Sequence, residues 1–288
     1  MAAAAQQVEQ FEVDSGGVAI RGEREGEGPV LVCCHGLTAT RRYVLHGSRL
    51  LARRGLRVVS YDARGHGESG PAPSSDRYGY PDLADDLERI IESLAGPAAS
   101  SERGVVLAGH SMGAHTIVAL ALARPDLVRG LVIIGPVYPG GEIRESALAS
   151  WDALARALRE GGPEEFADAV AEGYEGEDRD LIHRLALERI RLHRDLGAVV
   201  DALATVPRSR PFGERQDLAA ITAPTLVVAS HDRLDPAHPY ACAVAYAETI
   251  PGARLISEEE GASPLAWQGG RLSREIAAFA EQAGLLGG

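Results

Sequence analysis

Apolar residues run unbroken through several short stretches of the chain. Pro29-Val-Leu-Val-Cys-Cys34, Leu56-Arg-Val-Val-Ser-Tyr61, Val105-Val-Leu-Ala108, Leu131-Val-Ile-Ile134, Thr225-Leu-Val-Val-Ala229 and Ala253-Arg-Leu-Ile256 all read as strands. Strands with no polar alternation belong to a parallel sheet buried on both faces. Ahead of them, Val8 to Val13 and Val18 to Arg21 flank Gly16-Gly17, which predicts a hairpin. Between the strands the apolar period lengthens to that of a helix. Leu83, Leu87, Ile90, Ile91 and Leu94 share one face of a helix over Tyr80 to Leu94. Further helices are predicted over Gly47 to Arg54, Met112 to Ala123, Pro239 to Ile250 and Leu272 to Ala283. The alternation is that of an α/β sheet domain.

One connection breaks this rhythm. About ninety residues separate Gly135 from Thr225, where short loops are the norm. Glu142 to Arg159, Pro163 to Tyr174 and Arg179 to Leu203 read as helices rich in Ala, Leu, Glu and Arg. Residues 137–216 are therefore expected to form a helical cap, inserted into a core built from residues 1–136 and 217–288.

Composition narrows the partners. The chain has 288 residues and a formal charge of −12, so binding to a phosphate backbone is not expected. No apolar run reaches the ~18 residues of a membrane span. The Ala-rich start, Met1 to Ala5, lacks the basic and long apolar regions of a signal peptide. Cys33, Cys34 and Cys242 do not form a disulfide framework and read as buried thiols of a cytoplasmic protein. The chain contains no lysine, which excludes a P-loop lysine, a Schiff-base lysine and a Ser-Lys dyad. No metal-binding or dinucleotide-binding pattern is present, so neither a metal nor another cofactor is expected.

The chemistry concentrates in Gly109-His-Ser-Met-Gly113, which follows a predicted strand and opens a predicted helix. This G-x-S-x-G context is that of a nucleophile elbow, with Ser111 raised above the sheet on a strained turn. On these residues, with His35-Gly36-Leu37 and Asp62-Ala-Arg-Gly-His-Gly-Glu-Ser69, nearly the whole chain resembles the α/β-hydrolase family. The resemblance implies a mostly parallel eight-stranded sheet flanked by helices, with an inserted helical cap. It implies backbone oxyanion donors at Leu37 and Met112, and a structural role for the loop containing His66. It places the acid at Asp232, with Asp235 in reserve. Gly36, Tyr138 and Trp151 are expected to line the pocket, with Trp267 at its border or packed beneath the last helix.

The family pattern then fails at one position. Ala262 stands in Gly261-Ala-Ser-Pro264, where the family carries its histidine, and no histidine follows His238. A serine hydroxyl without an adjacent base is a weak nucleophile. Three readings remain. In the first, another histidine supplies the base, with His238 and His35 the candidates and His115 on the helix face of Ser111. In the second, the chain binds or rearranges a small molecule without hydrolysis. In the third, Ala262 replaces the histidine of an ordinary hydrolase. His110 and His231 are expected to point away from their catalytic neighbours. The expected function is hydrolysis of a small ester, thioester or lactone; oligomeric state is not encoded in any motif.

Overall fold

The computed structural model describes residues 7–99 and 104–286; the Ala-rich start lies outside them. Eight strands form one sheet: β1 (Glu9–Ser15), β2 (Val18–Glu25), β3 (Val30–Cys34), β4 (Arg57–Tyr61), β5 (Val105–His110), β6 (Val128–Ile134), β7 (Thr225–Val228) and β8 (Arg254–Ile256). Their spatial order is β1-β2-β4-β3-β5-β6-β7-β8. The β1–β2 and β2–β4 pairs are antiparallel, and every later pair is parallel.

The unbroken apolar runs are explained by two cores. Val32, Cys34, Leu107 and Ile133 face one side of the sheet, with α2 (Tyr80–Ala99), α3 (Met112–Ala123) and α7 (Tyr240–Thr249). Leu31, Cys33, Val106 and Val132 face the other, with α1 (Leu50–Arg53) and α8 (Gly269–Gln282). Nearly every residue of the central strands β3, β5, β6 and β7 thus meets a core, whichever way it points. Cys33, Cys34 and Cys242 are buried free thiols. Burial pushes the Cys34 thiol up to about 12, so it stays neutral and packs as a small apolar side chain.

Three helices stand between β6 and β7. They are α4 (Glu145–Val170), α5 (Gly176–Ile190) and α6 (Leu196–Thr205). They bury a cluster of their own around Leu158, Phe166, Ile190, Val199 and Leu203. The two helices predicted over 142–174 lie on either side of Gly162, within α4. Gly162, at φ 73°, kinks it ahead of Pro163, where a helix cannot keep its hydrogen bonds. The single helix predicted over 179–203 is broken instead. Asp195 caps α6 by accepting from Ala198 N–H at 3.0 Å, so residues 191–195 leave the helical path. That break brings the linker down onto the loops at the ends of the strands.

Candidate active site

Ser111 sits between β5 and α3 with φ 53° and ψ −113°. A non-glycine residue held there stores about 1–3 kcal/mol of strain. The two motif glycines make the turn possible. A Cβ on Gly113 would lie 2.0 Å from the Cys34 carbonyl oxygen, and one on Gly109 would lie 2.3 Å from the Gly113 carbonyl oxygen. The helix therefore starts in backbone contact with the ends of β3 and β5. A Cβ on Gly36 would come within 3.3 Å of Ser111 Cβ, so the oxyanion segment lies directly against the elbow. Among the described residues, neither Leu37 N–H nor Met112 N–H has a protein acceptor. Met112 N–H also belongs to the first turn of α3, where the helix field favours negative charge.

The histidines around this loop are committed to holding it. His35 Nδ1 donates to Gly36 O at 2.8 Å, and its Nε2 accepts from Ala63 N–H at 2.9 Å. With both nitrogens engaged by backbone, His35 has none free for Ser111. His66 Nδ1 donates to Arg64 O, and its Nε2 accepts from Thr38 N–H. Thr38 itself has φ 62°, a second strained position, next to Leu37. His115 is tied to the Tyr80 hydroxyl at 3.1 Å and accepts from Val137 and Tyr138 N–H at 3.2 Å. Burial pulls it down to about 3. It stays neutral and anchors the segment after β6. In the Asp62–Ser69 loop, Arg64 makes two 2.7 Å bonds to the buried carboxylate of Asp86.

The acid and base positions rearrange what the sequence pattern implies. Asp232 accepts from Leu234 N–H at 2.9 Å and faces no imidazole; it shapes the turn after β7. Asp235 is the carboxylate that meets a histidine. Its two oxygens lie 2.7 and 2.8 Å from His238 Nδ1. That fixes the proton on Nδ1 and leaves Nε2 as the basic nitrogen. His238 Nε2 is buried and has no hydrogen-bond partner. The spacing Asp235-Pro-Ala-His238 is the signal for this pair, since three residues of turn bring the two side chains together. Ala262 is exposed in a turn closed by Ala262 N–H to Glu259 O at 2.9 Å. Beneath that turn Glu258 accepts from Ser230 Oγ, His231 N–H and Leu265 N–H, joining it to the β7 loop. Burial opposes its charge, but these bonds hold its carboxyl below the usual range.

His238 lies beside the elbow. A Cβ on Gly135, the residue after β6, would lie 3.2 Å from His238 Cδ2 and 3.5 Å from His110 Nε2. The His110 and His238 rings are 4.9 Å apart. His110 therefore turns towards the candidate base rather than away from the site. Trp267 closes this cluster, 5.3 Å from His110 and 5.6 Å from His46. His231 instead stacks on Tyr240 at 4.1 Å. Tyr138 packs on the sheet-side core, with its hydroxyl bonded to Gly141 O, and Trp151 packs on the core of the inserted helices. No group of three or more His, Cys, Asp or Glu side chains is placed to hold a metal among the described residues. No described helix is long and apolar enough to cross a membrane.

An eight-stranded sheet with a strained serine at the end of β5 defines an α/β-hydrolase. The chain belongs to the alpha/beta hydrolase family, whose pattern it matches over residues 31–268. It is 32% identical over 131 residues to the sn-1-specific diacylglycerol lipase ABHD11 of Mus musculus, covering 45% of this chain and 39% of that protein. The chain thus spans about two fifths of the length of such relatives. It is 29% identical over 211 residues to a monoacylglycerol lipase of Mycolicibacterium smegmatis, covering 72% of this chain and 71% of the lipase. Among solved structures, a thermophilic esterase from Thermogutta terrifontis superposes with a TM-score of 0.75 at 22% identity, covering 96% of this chain and 99% of the esterase.

Proposed function

We propose that this protein is a serine hydrolase of small esters, thioesters or lactones, in which the Asp235–His238 pair supplies the base. The supporting observation is His238 itself. Its Nδ1 is held by a carboxylate, while its buried Nε2 has no partner and its ring lies against the residue preceding Ser111. Ser111 Oγ attacks the acyl carbon as its proton passes to His238 Nε2. The carbonyl electrons move to the oxygen, which Leu37 and Met112 N–H receive. The carbonyl re-forms, the leaving group departs with the proton from His238, and water repeats the sequence to release the acid. Asp235 orients the imidazole and stabilises its charged form. Ser111 Oγ and His238 Nε2 are not hydrogen-bonded in this structure; such contacts often tighten only on substrate binding. The inserted helices, residues 137–216, act as the cap over the strand ends.

Labelling with a serine-reactive fluorophosphonate, read by intact mass, tests this. Stoichiometric labelling is expected, absent in Ser111→Ala and slowed at least tenfold in His238→Ala. Labelling that is unchanged in His238→Ala would overturn the assignment of the base. No labelling of well-folded protein would favour a non-hydrolytic role, as a binder or in rearrangement of a small molecule. Ala262→His separates the remaining case. With His238 as base, it should raise hydrolysis of an activated ester by no more than a few-fold. A gain of a hundredfold would instead identify position 262 as the vacant base position.

A further inference from the structure

Arg189 lies in the last turn of α5, and its side chain forms no hydrogen bond or ion pair among the described residues. Part of the residue is exposed, but its Nε is fully covered and unpartnered. The linker just beyond it is pinned to the loops around the elbow. His193 Nδ1 accepts from Gly67 N–H at 2.9 Å, its Nε2 donates to Thr38 O at 3.1 Å, and Arg194 N–H donates to Gly67 O at 3.0 Å. The end of α5 is thereby held over the oxyanion segment.

Its electrostatic neighbours locate the guanidinium more closely. Its charge acts on Tyr43 and Asp235, and on the imidazoles of His46, His110 and His193. These groups come from the oxyanion side, the elbow, the loop after β7 and the insert. The guanidinium is thus within electrostatic reach of these groups. His46 Nε2, in the same cluster, is also buried without a partner.

A guanidinium with a covered, unpartnered Nε and no counter-ion is costly to retain. Burial pulls its proton affinity below the arginine range. Asp235 does not neutralise it, because both of its oxygens engage His238 and no ion pair joins it to Arg189. We infer that Arg189 is the anchor for a carboxylate carried by the substrate, on the insert's face of the site. A planar guanidinium matches a carboxylate in two-point geometry. One cation suits one negative charge, and the nearby Asp235 opposes a second, so a monoanionic carboxylate fits better than a phosphate dianion. The surrounding protein carries −12, so only a local cation would draw an anion to this place. The inference rests on the hydrolase reading above and narrows its substrates to esters or lactones bearing a free carboxylate.

Two measurements test it. The first is kcat/KM for monomethyl glutarate against dimethyl glutarate, followed by pH-stat in the native protein, Arg189→Met and Arg189→Lys. The native protein should prefer the monoanion. Arg189→Met should lower the monoanion-to-diester ratio at least tenfold, mainly through KM, and Arg189→Lys should restore part of it. The second is calorimetric binding of monomethyl glutarate to Ser111→Ala, alone and combined with Arg189→Met. Binding should weaken at least tenfold when Arg189 is lost, while an unchanged or raised thermal midpoint shows that the variant is folded. A ratio and a monomethyl glutarate affinity indifferent to Arg189→Met would overturn the inference. If no ester is turned over but monomethyl glutarate binding still needs Arg189, the hydrolase reading fails and the anion site stands.

Discussion

Asp232 and Asp235 are three residues apart, yet only Asp235 meets an imidazole. A carboxylate orients a base only when its oxygens reach the ring nitrogen, and here that distance is 2.7 Å for Asp235 and His238. Asp235→Asn should therefore lower kcat for an activated ester about 10²-fold or more, because the amide no longer fixes the proton on Nδ1. Asp232→Asn should cost far less, since it removes a charge from a turn rather than from the imidazole. Steady-state kinetics on the two variants compares them directly, and equal losses would return the role to Asp232. The residue motif was legible at Ser111, where glycine spacing demands a sharp turn. For a base the sequence left His238 and His35 as candidates, because nine histidines are present and sequence order says little about which ring nitrogen is free. His35, His66 and His115 lose both nitrogens to hydrogen-bond partners, which only the folded chain reveals.

At the scale of elements, the elbow depends on how closely α3 approaches β3. The 2.0 Å that a Gly113 Cβ would leave to Cys34 O cannot be relieved by a side-chain rotation, since the obstacle is backbone. Gly113→Ala should destabilise the fold by about 3 kcal/mol or more, at the upper end of overpacking costs. A fall in the urea midpoint measures this. The Arg64–Asp86 pair joins the Asp62–Ser69 loop to α2 in the same way. Asp86→Ala leaves the buried Arg64 guanidinium with only the longer 3.5 Å pair to Asp82 and should cost about 3 kcal/mol by chemical denaturation. The central strands β3, β5, β6 and β7 were readable because each buries both faces. The insert was readable as helical, but the break at residues 191–195 was not, because the capping bond of Asp195 and the docking of His193 on Thr38 decide it.

For the whole molecule, the buried histidines set the response to acid. Burial pulls His115 down to about 3 and His193 down to about 4, while an unfolded imidazole titrates near 6.5. Between these values the unfolded chain binds more protons than the folded one, so stability falls as pH drops. Each such imidazole contributes about 1.4 kcal/mol per pH unit across its window. Stability should be full above about pH 6.5 and decline steeply toward pH 4. Urea midpoints at pH 7, 6, 5 and 4 would show it, and a flat profile would contradict the burial of these rings.

The division between sequence and structure follows from the range of the forces involved. Backbone periodicity, the turn chemistry of Gly109 to Gly113 and the length of the insertion are local properties. They determine an α/β sheet, a serine elbow and inserted helices without reference to distant contacts. The histidine absent after the last strand is equally visible in the chain. Which carboxylate faces which imidazole is a matter of tertiary distance. So is the approach of His110 to His238, and the docking of His193 on Thr38. Those contacts join segments tens of residues apart, and only the packing of sheet, loops and insert brings them within reach.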